Sequence, residues 1–213
     1  MKLHREAISA EQEEVLRGLG PVMEGLSFYL GGGTAVALHL GHRRSLDLDW
    51  FTQGAIGDSM VLASEISRGA LSLESTSAAP GTLHAVARGV KLSFFSYEYP
   101  LLSPLVALED YGCCMASLSD LAAMKLSAVA QRGSRRDFLD IYAIGRWHIS
   151  LRDMLSLYVQ KFGTPDTAHL LYGLSYFDDA DREPMPPLLR EGLNWETVKS
   201  GIGKWIKELA DLG

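Results

Sequence analysis

Residues 28 to 51 read FYLGGGTAVALHLGHRRSLDLDWF, and this stretch decides the fold. The aromatic and apolar residues 28–30 predict a short strand that runs directly into three consecutive glycines, residues 31–33. Residues 34–40 then predict a helix that ends at Gly41. The segment therefore predicts a strand, a glycine turn and a helix in immediate succession.

A second strand follows at residues 46–51, where apolar and acidic side chains alternate. Alternation places Asp47 and Asp49 on one face, about 7 Å apart along the strand. The opposite, core-facing set is predicted to be Leu46, Leu48 and Trp50. Two carboxylates on one face could share a hard cation, or they could simply form a solvated sheet face.

The glycine turn has two possible roles. Glycines allow close approach of the backbone to a ligand, and free N–H groups at a helix N-terminus suit phosphate. They also serve ordinary tight turns. Taken with the two acids, the turn predicts a nucleoside triphosphate whose phosphate tail lies on the glycine loop at residues 31–33, with the Thr34 hydroxyl beside it, and is bridged by Mg²⁺ to Asp47 and Asp49.

The remaining pattern predicts an α+β protein with a mixed sheet in residues 1–112 and a helical region in residues 113–213. Ser9 begins a capping box whose helix is expected to end near Gly18 or Gly20. Further elements are expected as a helix at 59–68, strands at 71–74, 82–87 and 90–95, a hairpin turn at 88–89, and helices near 119–131, 135–147, 151–161, 165–175 and 195–211.

Composition sets the class of protein. The chain has 213 residues, 47% of them hydrophobic and 22% charged, which is the balance of an ordinary globular protein. Its net charge of −6 argues against general coating of nucleic acid. Adjacent Cys113 and Cys114 predict no disulfide scaffold, and no apolar run reaches the roughly 18 residues of a membrane span. We therefore expect a soluble, cytoplasmic protein.

Lys125 lies in an apolar helical stripe with Leu121, Ala122, Ala128 and Val129 at three- and four-residue spacing. Such a lysine must extend its amine to solvent, pair with an acid, or point into a cleft. In a cleft it could neutralise triphosphate charge.

Two groups of basic residues are prominent in this acidic chain. They are His42, Arg43 and Arg44 in the first half, and Arg132, Arg135 and Arg136 in the second. They could mark where a polyphosphate or an RNA backbone enters, and we assign Arg43 to nucleotide binding. Arg136 and Asp140, four residues apart, could instead form an ordinary helical ion pair. His39 and His42 are read as satisfied surface histidines.

In two blocks the chain resembles the AbiEii/AbiGii-type nucleotidyltransferases. The first block comprises residues 28–35 (FYLGGGTA) and 38–49 (LHLGHRRSLDLD). The second comprises residues 120–126 (DLAAMKL) and 132–142 (RGSRRDFLDIY), and the similarity extends through residues 176–180. The resemblance implies the polymerase-β-like nucleotidyltransferase fold with a helical C-terminal part. Active members are toxins of bacterial toxin–antitoxin or phage-defence systems.

The resemblance also implies roles for individual residues. The family's glycine loop falls on Gly32, Gly33 and Thr34, its metal-binding acids (for Mg²⁺ or Mn²⁺) on Asp47 and Asp49, and its triphosphate lysine on Lys125. Asp140 is the expected functional acid of the last motif, with Asp137 as the alternative. Implied partners are an NTP, a tRNA 3′ end or a protein as acceptor, and a cognate antitoxin, with no membrane.

One feature departs from the wider fold. Polymerase-like nucleotidyltransferases usually carry a third acid on a later sheet strand, where residues 90–95 offer Ser93 instead. Asp140 or a substrate phosphate could then receive the proton of the attacking hydroxyl. The departure leaves two other readings open, a non-catalytic nucleotide- or partner-binding protein and a small-molecule nucleotidyltransferase of the antibiotic-modifying kind.

Overall fold

The computed structural model describes residues 2–69 and 71–211. These residues form one seven-stranded mixed sheet in the order β3-β4-β5-β2-β1-β7-β6. The strands are β1 Tyr29–Leu30, β2 Asp47–Thr52, β3 Ser75–Ala79, β4 Thr82–Ala87, β5 Val90–Ser96, β6 Val106–Leu108 and β7 Cys113–Met115. The helices are α1 Ala10–Gly25, α2 Gly32–Leu40, α3 Ser59–Gly69, α4 Leu118–Gln131, α5 Arg135–Trp147, α6 Leu151–Phe162, α7 Ala168–Ser175, α8 Asp178–Arg182 and α9 Trp195–Ala210. The predicted α+β class, with a mixed sheet and flanking helices, is confirmed.

The two faces of the sheet have different characters because strand side chains alternate. Leu48 and Trp50 of β2 lie beside Leu92 and Phe94 of the parallel strand β5, and all four are buried. The other face carries Asp47, Asp49 and Phe51 on β2 and Ser93 and Phe95 on β5. We call this second face the cleft face. Leu46 precedes β2 and is 60% exposed, so its predicted place in the core is wrong.

Helix α1 begins with the predicted capping box but continues beyond Gly18 and Gly20 to Gly25. Gly20 lies inside the helix, where a Cβ would overlap the carbonyl oxygen of Tyr111. The glycine thus serves close packing, and the predicted helix end is wrong.

The predicted strand at 71–74 is also displaced, because β3 occupies Ser75–Ala79. Its register is set by the turn into β4, where Ala79 pairs with Thr82 and Gly81 has φ +67°. Every residue of β3 is exposed, so this edge strand carries no hydrophobic alternation. By contrast, the Arg88–Gly89 turn between β4 and β5 is confirmed, with positive φ at both residues.

The sequence predicted that β structure ends at about residue 112, but one more strand follows that position. Cys113–Met115 forms β7, which pairs parallel with β1 and antiparallel with β6. The strand has three residues, too few for a readable alternation, and both of its thiols are free. The boundary of two regions at residue 112 stays a prediction.

The helices after β7 lie close to their predicted positions, and the short α8 is additional. Helix α4 packs against α2, α5, α6 and α7, which brings Lys125 to the cleft face of the sheet. No helix in the described ranges has both the length and the hydropathy that a bilayer crossing requires.

Candidate functional site

A cavity of about 310 Å³ lies between the cleft face of the sheet and helix α4. Gly32 and Asp49 line one end, and Lys125 and Arg132 contribute cations from α4 and its C-terminus. Its size is at the lower end of the range for small-molecule sites. We call this cavity the cleft.

A larger cavity, of about 420 Å³, lies between the loop around Phe28 and helix α3. Its charged lining residues are Asp58 and Glu65, and none of its lining residues is basic. A polyphosphate would meet only negative charge there, so the smaller cleft is the better anion site.

Asp47 and Asp49 lie on the cleft face of β2, as the alternation predicts. Burial and the nearby charge of Asp47 raise the pKa of Asp49. Asp47 Oδ2 is 3.3 Å from Arg136 Nη1 at the surface. Mg²⁺ is usually held by one or two carboxylates together with substrate phosphates, and two mutually repelling carboxylates beside a cationic cleft fit that pattern.

The glycine turn forms the N-terminus of α2. Gly31 N–H donates to the carbonyl of Asp49 (2.8 Å), which ties the turn to β2. The first helical bond is Ala35 N–H to Gly31 C=O, so the N–H groups of Gly32, Gly33 and Thr34 precede the helical hydrogen-bond pattern. They are placed to bind an anion at the positive end of the helix.

Gly32 is the position where the turn depends on glycine. Its φ is +61°, and a Cβ there would overlap the carboxylate of Asp49. We expect Gly32→Ala to lower the free energy of unfolding by about 1–3 kcal/mol and to displace Asp49, with loss of nucleotide binding. Urea unfolding and calorimetric titration with an NTP measure the two effects.

Gly203→Ala is the matched control, because a Cβ at Gly203 would have no neighbour within 4 Å and alanine favours the interior of α9. It should raise the free energy of unfolding by up to about 1 kcal/mol. Equal effects of the two substitutions would contradict the role given to Gly32.

Thr34 is buried, and its hydroxyl is engaged within the fold. It lies 2.6 Å from Ser45 Oγ and donates to the carbonyl of Asp47. These contacts hold the start of β2 against α2. Thr34 therefore presents its N–H, rather than its hydroxyl, to a phosphate.

Lys125 is 5% exposed and pairs with two acids of α5. Its Nζ lies 2.8 Å from Asp137 Oδ1 and 2.7 Å from Asp140 Oδ2. Burial acts to lower the pKa of Lys125, but these two carboxylates raise it above its usual value. The lysine is thus a fixed cation that also lines the cleft, and the solvent-extended alternative is wrong.

Asp140 is fully buried and lies at the centre of a charge network. It accepts hydrogen bonds from His42 Nε2 (2.8 Å), Arg43 Nε (2.7 Å) and Arg43 Nη2 (2.9 Å), in addition to the Lys125 contact. Although burial opposes ionisation, Arg43 and Lys125 hold the pKa of Asp140 well below its usual range. The predicted helical pair between Arg136 and Asp140 is wrong, since Arg136 pairs with Asp47.

Asp137 closes the same network nearer the surface. It pairs with Lys125 and accepts from Arg132 Nε (2.8 Å) and from Ser134 Oγ (2.6 Å). Arg132 is 67% exposed and borders the cleft. Asp137 therefore holds two cations at the cleft wall.

The two groups of basic residues do not form one surface. His42 and Arg43 are buried, with Arg43 packed behind Gly33, and His39 is also buried. Arg135 donates to the carbonyl of Ala180 (2.8 Å) and lies 4.9 Å over the ring of Trp195. Of the six basic residues, Arg132 alone lines the cleft, and the surface placement expected for His39 and His42 is wrong.

An aromatic wall was missed by the sequence reasoning. Phe51 lies 5.2 Å from Phe95 and 5.4 Å from Tyr97 between ring centroids, and all three line the cleft. Aromatic faces of this kind stack against nucleobases. The signal was present, because Phe51 continues the alternating face that carries Asp47 and Asp49.

Comparison with known proteins matches most of the chain to one protein family. Residues 14–203 match a family model described as "Nucleotidyl transferase AbiEii toxin, Type IV TA system". An uncharacterized protein of Aquifex aeolicus (strain VF5), aq_aa25, is 34% identical over 204 residues, covering 94% of this chain and 97% of the relative.

Two solved structures share the fold. A candidate nucleotidyltransferase from H. pylori superimposes with a TM-score of 0.59 at 19% identity, over 99% of both chains. MenT4, a nucleotidyltransferase toxin from Mycobacterium tuberculosis H37Rv, gives a TM-score of 0.54 at 17% identity, over 96% of this chain and 87% of its own.

Proposed function

Because the chain belongs to the AbiEii family of nucleotidyltransferase toxins of type IV toxin–antitoxin systems, we propose that its cleft transfers a nucleoside monophosphate from an NTP to a hydroxyl acceptor. The observation that carries the proposal is the convergence of four features in one cavity. These are the glycine turn, an acidic side chain of the β2 pair, a fixed lysine and an aromatic wall.

Each feature has a part in holding the donor. The N–H groups of Gly32 and Gly33 bind the phosphate tail, and Lys125 offsets its charge. The base stacks on the aromatic wall, with Phe95 beneath it. Asp47 and Asp49 would hold Mg²⁺ or Mn²⁺, which would supply charge stabilisation at the α-phosphate. Catalysis in such transfers is mainly positioning and electrostatics.

Asp137, Asp140 and Arg43 act indirectly, by positioning other residues of the cleft. Asp140 positions Lys125 and Arg43, and Asp137 positions Lys125 and Arg132. Arg43 supports the glycine turn from behind, since its guanidinium lies against Gly33. Arg43 then contributes to nucleotide binding indirectly, because it maintains the shape of the glycine turn. The complete burial of Asp140 favours this positioning role over the receipt of a proton from an acceptor.

We further propose that the acceptor is a tRNA 3′ end or a protein hydroxyl, that the chain acts in the cytoplasm, and that a cognate antitoxin opposes it. The exposed Arg132 at the mouth of the cleft supports a phosphate-bearing acceptor, and we favour RNA on that ground.

Purified protein incubated with each α-³²P-labelled NTP, Mg²⁺ and total cellular RNA tests the proposal. We expect label in the RNA fraction, and Asp47→Asn should remove it. Label in the protein fraction would show that the acceptor is a protein and not RNA. Label in a small hydroxylated compound would show that the acceptor is a small molecule. NTP-dependent thermal stabilisation without label in any fraction would contradict transfer and favour a binding protein.

A further inference from the structure

A row of three side chains crosses the cleft face at the level of Asp49. Ser93 of β5 is directly opposite Asp49 in the parallel pairing of β2 and β5. His84 of β4 is directly opposite Ser93 in the antiparallel pairing of β4 and β5. Directly paired residues on neighbouring strands point to the same face, so the three side chains lie on one face at a spacing of about 4.8 Å.

A hydrogen bond links two of these side chains, because His84 Nδ1 lies 3.2 Å from Ser93 Oγ. When Nδ1–H donates to the serine oxygen, the lone pair of the neutral imidazole lies on Nε2. In that tautomer Nε2 is free to accept a proton.

The position of His84 suits a role that no carboxylate of the neighbouring strand can fill, the activation of the attacking hydroxyl. The strand beside β2 carries Ser93 where a third carboxylate would activate the attacking hydroxyl, and Asp140 is fully buried among cations. His84 is exposed, and its ring packs edge-on against Phe95 of the aromatic wall at 5.8 Å. Because Phe95 lines the cleft, His84 lies next to the cleft wall, in a neighbouring groove that it lines together with Ser93.

We infer that His84 is the general base of the transfer, held by Ser93 in the tautomer that carries its proton on Nδ1. His84 Nε2 takes the proton of the acceptor hydroxyl, directly or through one water, as the acceptor oxygen forms its bond to the α-phosphorus. The bond from the α-phosphorus to the α–β bridging oxygen breaks, and pyrophosphate leaves with the electron pair. The imidazolium then returns its proton to solvent.

This inference rests on the proposed function, and the labelled-NTP assay with total cellular RNA is its first test. We expect His84→Ala to lower the rate by about 100-fold, with unchanged NTP binding, and added imidazole to restore part of the loss. His148→Ala is the matched control, because His148 is exposed at the end of α5. Ser93→Asp, combined with His84→Ala, should restore transfer by placing a carboxylate beside Asp49.

The tautomer gives a readout that is independent of turnover. Nitrogen-15 NMR of the full chain should show neutral His84 protonated at Nδ1, and Ser93→Ala should mix the tautomers. Protonation at Nε2, or transfer by His84→Ala at the wild-type rate, would overturn the inference and leave the proposed function standing. Absence of transfer by the wild type would overturn the proposed function itself.

Discussion

Asp49→Asn is expected to lower nucleotide transfer by about 10³-fold without loss of stability. The amide keeps the shape of the side chain but removes the charge that would bind a divalent cation. Burial and Asp47 already disfavour the ionised form of Asp49 and raise its pKa, so a neutral replacement costs the fold little. Transfer of label from the NTP and urea unfolding measure the two effects.

Glu65→Gln is the control for this substitution, since Glu65 is an exposed carboxylate in the larger cavity by α3. It should leave transfer unchanged. A fully active Asp49→Asn variant would remove Asp49 from the proposed metal site, and a variant that fails to fold would contradict the expected retention of stability.

Asp140→Asn is expected to have the largest effect on stability. Replacing the carboxylate leaves His42, Arg43 and Lys125 around a neutral amide, two of them as buried cations short of a counter-charge. Removing one member of a buried ion pair typically costs about 3–5 kcal/mol. Urea denaturation of the two proteins at neutral pH gives the difference directly.

The same substitution at Asp179 provides the comparison. Asp179 is 62% exposed and lies 3.6 Å from Arg182, one helical turn away on α8. Such a surface pair contributes little to stability, so Asp179→Asn should be close to neutral. A similarly small effect of Asp140→Asn would show that the buried network does not stabilise the fold.

The pKa of Asp140 also predicts how stability depends on pH. Arg43 and Lys125 keep the folded-state pKa well below the value of about 3.9 for an unfolded aspartate, against the opposing effect of burial. Its contribution is therefore complete above about pH 4 and is lost as the pH falls toward the folded-state pKa. Urea midpoints of the wild type should fall steeply below pH 4, and those of Asp140→Asn less steeply. Parallel curves would contradict this assignment.

Much of the site was predictable because it depends on local sequence. The alternation of β2 fixes the common face of Asp47 and Asp49, and Gly41, with φ +59°, ends α2 as expected. The apolar stripe around Lys125 correctly indicated that its amine needs a partner or a cleft. Each of these inferences uses the period of a single element.

What the sequence did not reveal depends on contacts between distant segments. Asp140 meets Arg43 across 97 positions of the chain, so the nearby Arg136 was the more obvious partner from sequence alone. The cross-strand pairing of His84 with Ser93 depends on the register of β4 with β5, which the Arg88–Gly89 turn sets.

A crystal structure of the protein with Mn²⁺ and a non-hydrolysable NTP analogue tests the central claim most directly. We predict an anomalous peak between the carboxylates of Asp47 and Asp49, the triphosphate on the Gly32–Gly33 turn beside Lys125, and the base against Phe95. Nucleotide bound in the larger cavity near Asp58, or a metal peak away from the two aspartates, would contradict the account.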